Sequence, residues 1–256
     1  MYRYRTARSV PLFLTALRAA LGPIVVALIA ALAHAPLAAA EPPAVPDTLA
    51  QRIAPCTQCH GDRGQGMEST AYYPRLAGKP AGYLYRQLLN FADGHRRYPQ
   101  MNYLVRQLPA PYLLEIARYF STLHPPYPGA RGTPLPSADA ALADRLIRQG
   151  DRARDLPPCT ACHGDALSGV EPATPGLVGL YASYIAEQLN AWRNGVRHAR
   201  EPDCMARIAK RLTGGEIQLI SGWLASRPTE PEPVPAAASK APPPLECGSL
   251  RALDDR

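Results

Sequence analysis

No acidic side chain precedes Glu41, and from Ala19 to Ala40 the chain carries no charge at all. The opening stretch holds Arg3, Arg5, Arg8 and Arg18 and closes on Ala38-Ala39-Ala40. A basic start, an apolar middle and a small-residue end predict an export signal over residues 1–40. The 22 uncharged residues are also long enough to span a bilayer as an uncleaved anchor; Pro23, Pro36 and the alanine richness favour cleavage. Four of the 28 basic residues lie in this segment, which leaves 24 against 21 acids, a net charge of +3 rather than +7. That modest excess excludes a nucleic-acid-binding reading based on overall charge.

Other shortages narrow the choice further. Convincing runs of alternating polar and apolar residues are missing, which argues against a β-sheet protein. Cysteine is limited to Cys56, Cys59, Cys159, Cys162, Cys204 and Cys247. In an exported protein each of these needs an account, because thiols outside the cytoplasm tend to be oxidised. Methionine is scarcer still: beyond Met1 there are only Met67, Met101 and Met205.

Proline, by contrast, is abundant, at 29 residues. Five fall within "HPPYPGARGTPLPSAD", 124–139, which reads as a stiff connector. More crowd the end of the chain after Trp223, which is too proline-rich to predict a packed element.

The first four cysteines stand in "CTQCH", 56–60, and "CTACH", 159–163. Cys-x-x-Cys-His is the attachment sequence of c-type haem: Cys56, Cys59, Cys159 and Cys162 would form the thioethers. His60 and His163 would then be the proximal iron ligands. A zinc site is a poorer reading, since a histidine adjacent to a cysteine is badly placed to share a tetrahedron with it. Export and duplication count against a thioredoxin-like pair. Two covalently bound haem c groups are therefore predicted.

The duplication runs well beyond the haem motif. "YLYRQLLNFADGHR", 83–96, answers "YIAEQLNAWRNGVR", 184–197, through the shared pattern Y-x-x-x-Q-L-x-x-[FW]-x-x-G-x-R. "LPAPYLLEIARYFSTL", 108–123, answers "LTGGEIQLISGWLASR", 212–227. A whole domain is repeated in tandem. Leu84, Leu88 and Phe91, like Ile185, Leu189 and Trp192, fall at helical spacing, and Gly94 and Gly195 follow as stops. In the later helix, Ile116 and Tyr119, or Ile220 and Trp223, are expected to face inward. The expected layout is a signal peptide, 1–40, a first domain, 41–125, a proline-rich linker, 126–137, a second domain, 138–228, and a tail, 229–256. Domains this small need a haem as their hydrophobic centre.

Met101 follows Cys59 by 42 residues and Met205 follows Cys162 by 43, each between the two long helices of its copy. Met67 sits seven residues from His60, too near to loop over to the far side of an iron that His60 holds. Taken together, the paired CxxCH motifs, the Y-x-x-x-Q-L repeat with G-x-R and the methionine before a final helix resemble di-haem class I cytochromes c of the cytochrome c4 type. The resemblance covers residues from about 46 to 227. It implies two all-α cytochrome c domains, each wrapped around a haem, shuttling electrons in the periplasm. It also implies His/Met ligation, His60 with Met101 and His163 with Met205. The cysteine-bearing tail departs from the simplest form of that family.

Beside Met205 stands a second sulfur, that of Cys204. The repeat sets Met205 opposite Met101 but Cys204 opposite Gln100, so Cys204 looks like an addition, although a thiolate ligand is the alternative. With Cys247 as the other leftover thiol, a Cys204–Cys247 disulfide is expected, strapping the tail over the second haem pocket. His95 and His198 also precede the methionines but do not align in the repeat, which suits solvated loops better than twin ligands. Arg96 and Arg197 do align, and each would either pair with a haem propionate or lie on the surface.

Two closed, six-coordinate irons would make an electron-transfer protein and not an enzyme. Expected partners are redox proteins: a dehydrogenase, a respiratory complex or a terminal oxidase. A cytochrome subunit of an exported dehydrogenase complex is a second reading. A di-haem peroxidase or thiosulfate-oxidising enzyme is a third. No nucleic acid is expected, and a membrane only if the N-terminal segment stays uncleaved.

Overall fold

Helix formers recur at helical spacing on both sides of each haem motif, and the chain folds accordingly. A computed structural model describes residues 47–229, 233–239 and 241–250; the predicted export signal lies outside them. In order, the elements are α1 (Leu49–His60), α2 (Ala81–Ala92), α3 (Pro99–Val105), α4 (Ala110–Ser121), α5 (Ser137–Gln149), α6 (Thr160–His163), β1 (Gly169–Val170), β2 (Thr174–Pro175), α7 (Ala182–Arg193), α8 (Cys204–Arg211) and α9 (Gly214–Ser226). The protein is all-α. Among the described residues a single hairpin pairs Gly169 with Pro175 and Val170 with Thr174, too short to leave an alternating pattern in the sequence. No described helix is long and apolar enough to cross a membrane.

Two separate cores match the two copies. In the first, α2 packs on α4 through Leu84, Tyr85, Phe91, Leu113, Ile116 and Phe120. In the second, α9 packs on α7 and α5 through Ile147, Ile185, Leu189, Ile217, Ile220 and Leu224. Ile116, Ile220 and Trp223 point inward as their spacing predicts, whereas Tyr119 is only half-buried and Phe120 takes the centre. Gly94 and Gly195 follow the ends of α2 and α7 with φ of 76° and 68°, a left-handed turn that glycine adopts without steric cost.

The proline-rich connector is pinned. Arg75, itself buried, donates to the carbonyls of Pro125 and Pro126 at 2.5 and 3.1 Å and lies over the Tyr127 ring at 3.8 Å. The tail, too, is more fixed than its composition suggests. Ala236 pairs with the hairpin edge, and Cys247 is bonded to Cys204.

The start of α9 is a capping box in which the Thr213 hydroxyl accepts from Glu216 N–H and the Glu216 carboxylate accepts from Thr213 N–H. Arg154 donates to both Glu216 carboxylate oxygens at 3.0 and 2.8 Å, and this pairing holds the carboxyl below its ordinary value of 4.5. A depressed carboxylate stabilises the fold fully above pH 4.5 and loses that contribution as pH falls through its folded value. Glu216→Gln should therefore cost about 1 kcal/mol at neutral pH and weaken the acid dependence of unfolding. Denaturant titrations at pH 7 and pH 3 would check both.

Candidate haem sites and the domain interface

Each haem motif ends a helix, so the histidine leaves the last turn pointing inward. His60 closes α1 and His163 closes α6, and both are buried. The Nδ1 of His60 lies 2.8 Å from the carbonyl oxygen of Pro74, and that of His163 lies 2.8 Å from the carbonyl oxygen of Pro175. A carbonyl only accepts, so both Nδ1 atoms carry the proton. That leaves each Nε2 lone pair free for a metal, the usual arrangement for an iron-ligating imidazole. Burial pushes both imidazoles toward the neutral, ligating form.

The four motif cysteines are free of disulfides. Burial raises the Cys56 and Cys159 thiols to about 11. A thioredoxin-type nucleophile needs the opposite shift. Cys56 and Met101 pack against the first core, and Cys159 and Met205 against the second. Met101 is the third residue of α3 and Met205 the second of α8. Met67 is exposed, as are His95 and His198.

What sequence reasoning missed is the purpose of the repeated signature. Its tyrosine, glutamine and arginine join the two domains. Arg96 donates to Gln87 in its own domain at 3.1 Å, and to Gln188 and the Tyr184 hydroxyl in the other at 2.9 and 2.8 Å. Arg197 mirrors it, donating to Gln188 and, across the junction, to Gln87, both at 2.6 Å. Between these arginines the His198 N–H donates to the His95 carbonyl at 2.8 Å. The aromatic of the signature lies beneath each guanidinium, Phe91 under Arg96 at 4.6 Å and Trp192 under Arg197 at 3.7 Å. Neither residue is an ordinary surface arginine, and Arg197 is only 3% exposed. Burial, then the neighbouring Arg96 charge, lowers Arg197 to about 10. The repetition itself was the available signal, since identical residues in two copies suit a pseudo-two-fold contact.

Arg197 Nε and Trp192 Nε1 are buried without a hydrogen-bond partner, and neither interface arginine forms a salt bridge among the described residues. Orphaned donors beside a buried Arg197 and a partly buried Arg96 call for carboxylates. Haem propionates would supply them, so the chain fits the group that its CxxCH motifs bind. Gln87→Ala would remove the cross-domain acceptor of Arg197. It should cost about 1.5–3 kcal/mol of domain docking, and faster proteolysis of the 126–137 linker with both haems retained would register it.

Twin CxxCH sites on paired all-α domains define a di-haem c-type cytochrome, an electron-transfer protein. No family model matches the chain. It is 39% identical over 179 residues to the thiosulfate dehydrogenase electron acceptor of Thiomonas intermedia, covering 70% of this chain and 81% of that protein. It is 32% identical over 175 residues to cytochrome c4 of Pseudomonas aeruginosa, covering 68% and 84%. The crystal structure of reduced cytochrome c4 from Pseudomonas stutzeri matches 70% of this chain and 96% of its own at a TM-score of 0.59 and 28% identity. The chain belongs to this family of di-haem cytochromes c, cytochrome c4 and the thiosulfate dehydrogenase electron acceptors.

Proposed function

We propose that the protein is an exported carrier whose irons are held by His60 with Met101 and by His163 with Met205, and that it takes electrons from a dehydrogenase and passes them to a respiratory acceptor. Bound in this way, haem c supplies one-electron redox chemistry, and the polypeptide sets its position and potential. The observation that carries the reading is the doubled site: a buried Nδ1-fixed histidine and a half-buried methionine against each core. A neutral thioether favours the ferrous state, which suits an acceptor that must draw electrons from a donor.

Each residue has a narrow task. Pro74 and Pro175 orient the proximal imidazoles through their carbonyls. The arginine–glutamine lattice holds the domains face to face, and a short, fixed path is what a relay between two haems needs. The name of the Thiomonas intermedia relative favours a thiosulfate-oxidising dehydrogenase as donor. The same names, an electron acceptor and a cytochrome c4, count against substrate chemistry on this chain itself.

The test is to mix the ferric holoprotein with a catalytic amount of thiosulfate dehydrogenase and follow haem absorbance on adding thiosulfate. Rapid reduction of both haems, dependent on the dehydrogenase, is expected. Reduction by thiosulfate alone would instead favour the enzyme reading. No reduction in either case would remove this donor.

A further inference from the structure

The two copies differ most around their methionine helices. In the first domain Met101 follows Gln100, which is exposed, and the Tyr98 side chain does not cap α3. Asn102 instead accepts from Tyr98 N–H at 2.8 Å and donates to the Phe91 and Arg96 carbonyls at 2.6 and 2.9 Å. In the second, Met205 follows Cys204, which is bonded to Cys247 with the two Cα atoms 5.0 Å apart. Asp203 caps that helix, its carboxylate accepting from Ala206 N–H at 3.0 Å.

Beyond the disulfide, the tail is held on both flanks of the second pocket. On one flank it lies against the hairpin that follows His163. There Ala236 N–H donates to the Gly169 carbonyl at 2.9 Å, the Ala236 carbonyl accepts from Glu171 N–H at 2.8 Å, and the Ser168 hydroxyl donates to the Val234 carbonyl at 2.8 Å. On the other flank it lies against the loop before Met205, where Gly248 N–H donates to the Pro202 carbonyl at 2.9 Å. Gly248 is buried there, and a Cβ on it would stand 2.2 Å from the Glu201 carbonyl oxygen and 2.5 Å from that of Arg200. Only a glycine lets the two backbones come so close. In the first domain Met67, which stands where Val170 does, is 36% exposed, and the neighbouring Glu68 carbonyl accepts from the Tyr181 hydroxyl of the second domain.

We propose that this tail is a strap that positions Met205, with Cys247 and Gly248 as its positioning residues, and that it makes the two haem sites unequal in how firmly they keep their methionine. The inference rests on the reading that Met205 is an iron ligand. Exchange of an axial methionine requires its loop to open locally, and local opening is governed by what else holds the loop. In the second domain the residue next to the ligand is covalently tied to a segment that is itself hydrogen-bonded to the hairpin beyond His163. The two sides of the pocket thus cannot part without breaking that tie. In the first domain the equivalent loop is held by the Asn102 hydrogen bonds but, among the described residues, by no covalent tie.

The experiment compares the full-length ferric holoprotein with Cys204→Ser/Cys247→Ser, which removes the disulfide and leaves no free thiol beside Met205. Imidazole is titrated in as a competing ligand, and the axial-methionine proton resonances are followed by NMR, assigned with Met101→Ala and Met205→Ala. In the wild type the Met101 resonance should disappear first. In the double variant the Met205 resonance should disappear at an imidazole concentration about tenfold lower than in the wild type, with Met101 unchanged as the internal control. Gly248→Val should act in the same direction with both cysteines present. A double variant that titrates like the wild type overturns the strap and leaves the ligand reading standing. A wild type with no methionine resonance at the second haem overturns the ligand reading and the strap with it.

Discussion

Met205→Ala should lower the reduction potential of one haem and leave the other nearly unchanged. The shift should be on the order of a tenth of a volt, within the roughly 0.8 V that axial ligation spans. Met205 is half-buried against the second core in the first turn of α8, as Met101 is against the first core in the first turn of α3. A thioether stabilises ferrous iron, so its loss favours the ferric state and frees a coordination position. The variant should accordingly bind carbon monoxide at one haem when reduced, and Met101→Ala should do the same at the other. Met67→Ala is the control, since that side chain is exposed and should change neither potential. Unshifted potentials in Met205→Ala would remove Met205 from the ligand set.

Phe120→Ala should unfold the first domain at temperatures that leave the second intact. Phe120 is 1% exposed, and its ring meets Tyr119 edge-on at a centroid distance of 5.2 Å. It also presses on the backbone of Gly64, where a Cβ would come within 2.7 Å of the Phe120 Cδ1. Truncation to alanine opens a cavity and should cost roughly 3–5 kcal/mol, a large share of what a small domain possesses. Calorimetry should show one transition split into two, with the methionine signature of the first haem lost in the earlier one.

The second copy fills the same space differently, which makes the comparison informative. Leu224 stands where Phe120 does, and Leu167 stands where Gly64 does. A smaller side chain on the helix is matched by a larger one on the loop, and both leucines are buried. Leu167 accepts a φ of 55° to do so, a conformation that costs a non-glycine residue roughly 1–2 kcal/mol. The larger loop residue thus accompanies the smaller helix residue, so Gly64→Leu, whose Cβ would meet the Phe120 ring, should be less destabilising together with Phe120→Leu than alone.

Much of the site was legible from the chain alone because its signals are local. Two cysteines and a histidine within five residues carry the haem chemistry wherever the segment lies. The 3.6-residue period of Leu84, Phe91, Ile185 and Leu189 predicts which side of each helix is buried, and those four residues are buried. Counting leftover thiols paired Cys204 with Cys247, because only two cysteines remained once the haem motifs had taken four. Helix α5 left no comparable mark. Its apolar face is interrupted by charge, as in "SADAALADRLIRQ".

Tertiary structure alone decided the rest, and the reason is distance along the chain. Gln87 and Arg197 are 110 residues apart, and nothing in either segment specifies that they meet. Their repetition in both copies marked them as important without revealing that each binds the other's domain. The tail is the same case: a proline-rich composition forecasts extended chain, whereas its path depends on where Gly169, Pro202 and Cys204 lie after the helices have packed. Local spacing thus determined the chemistry that each half can perform. Docking of the halves, with the path of the tail, determined how two similar sites become one unequal pair.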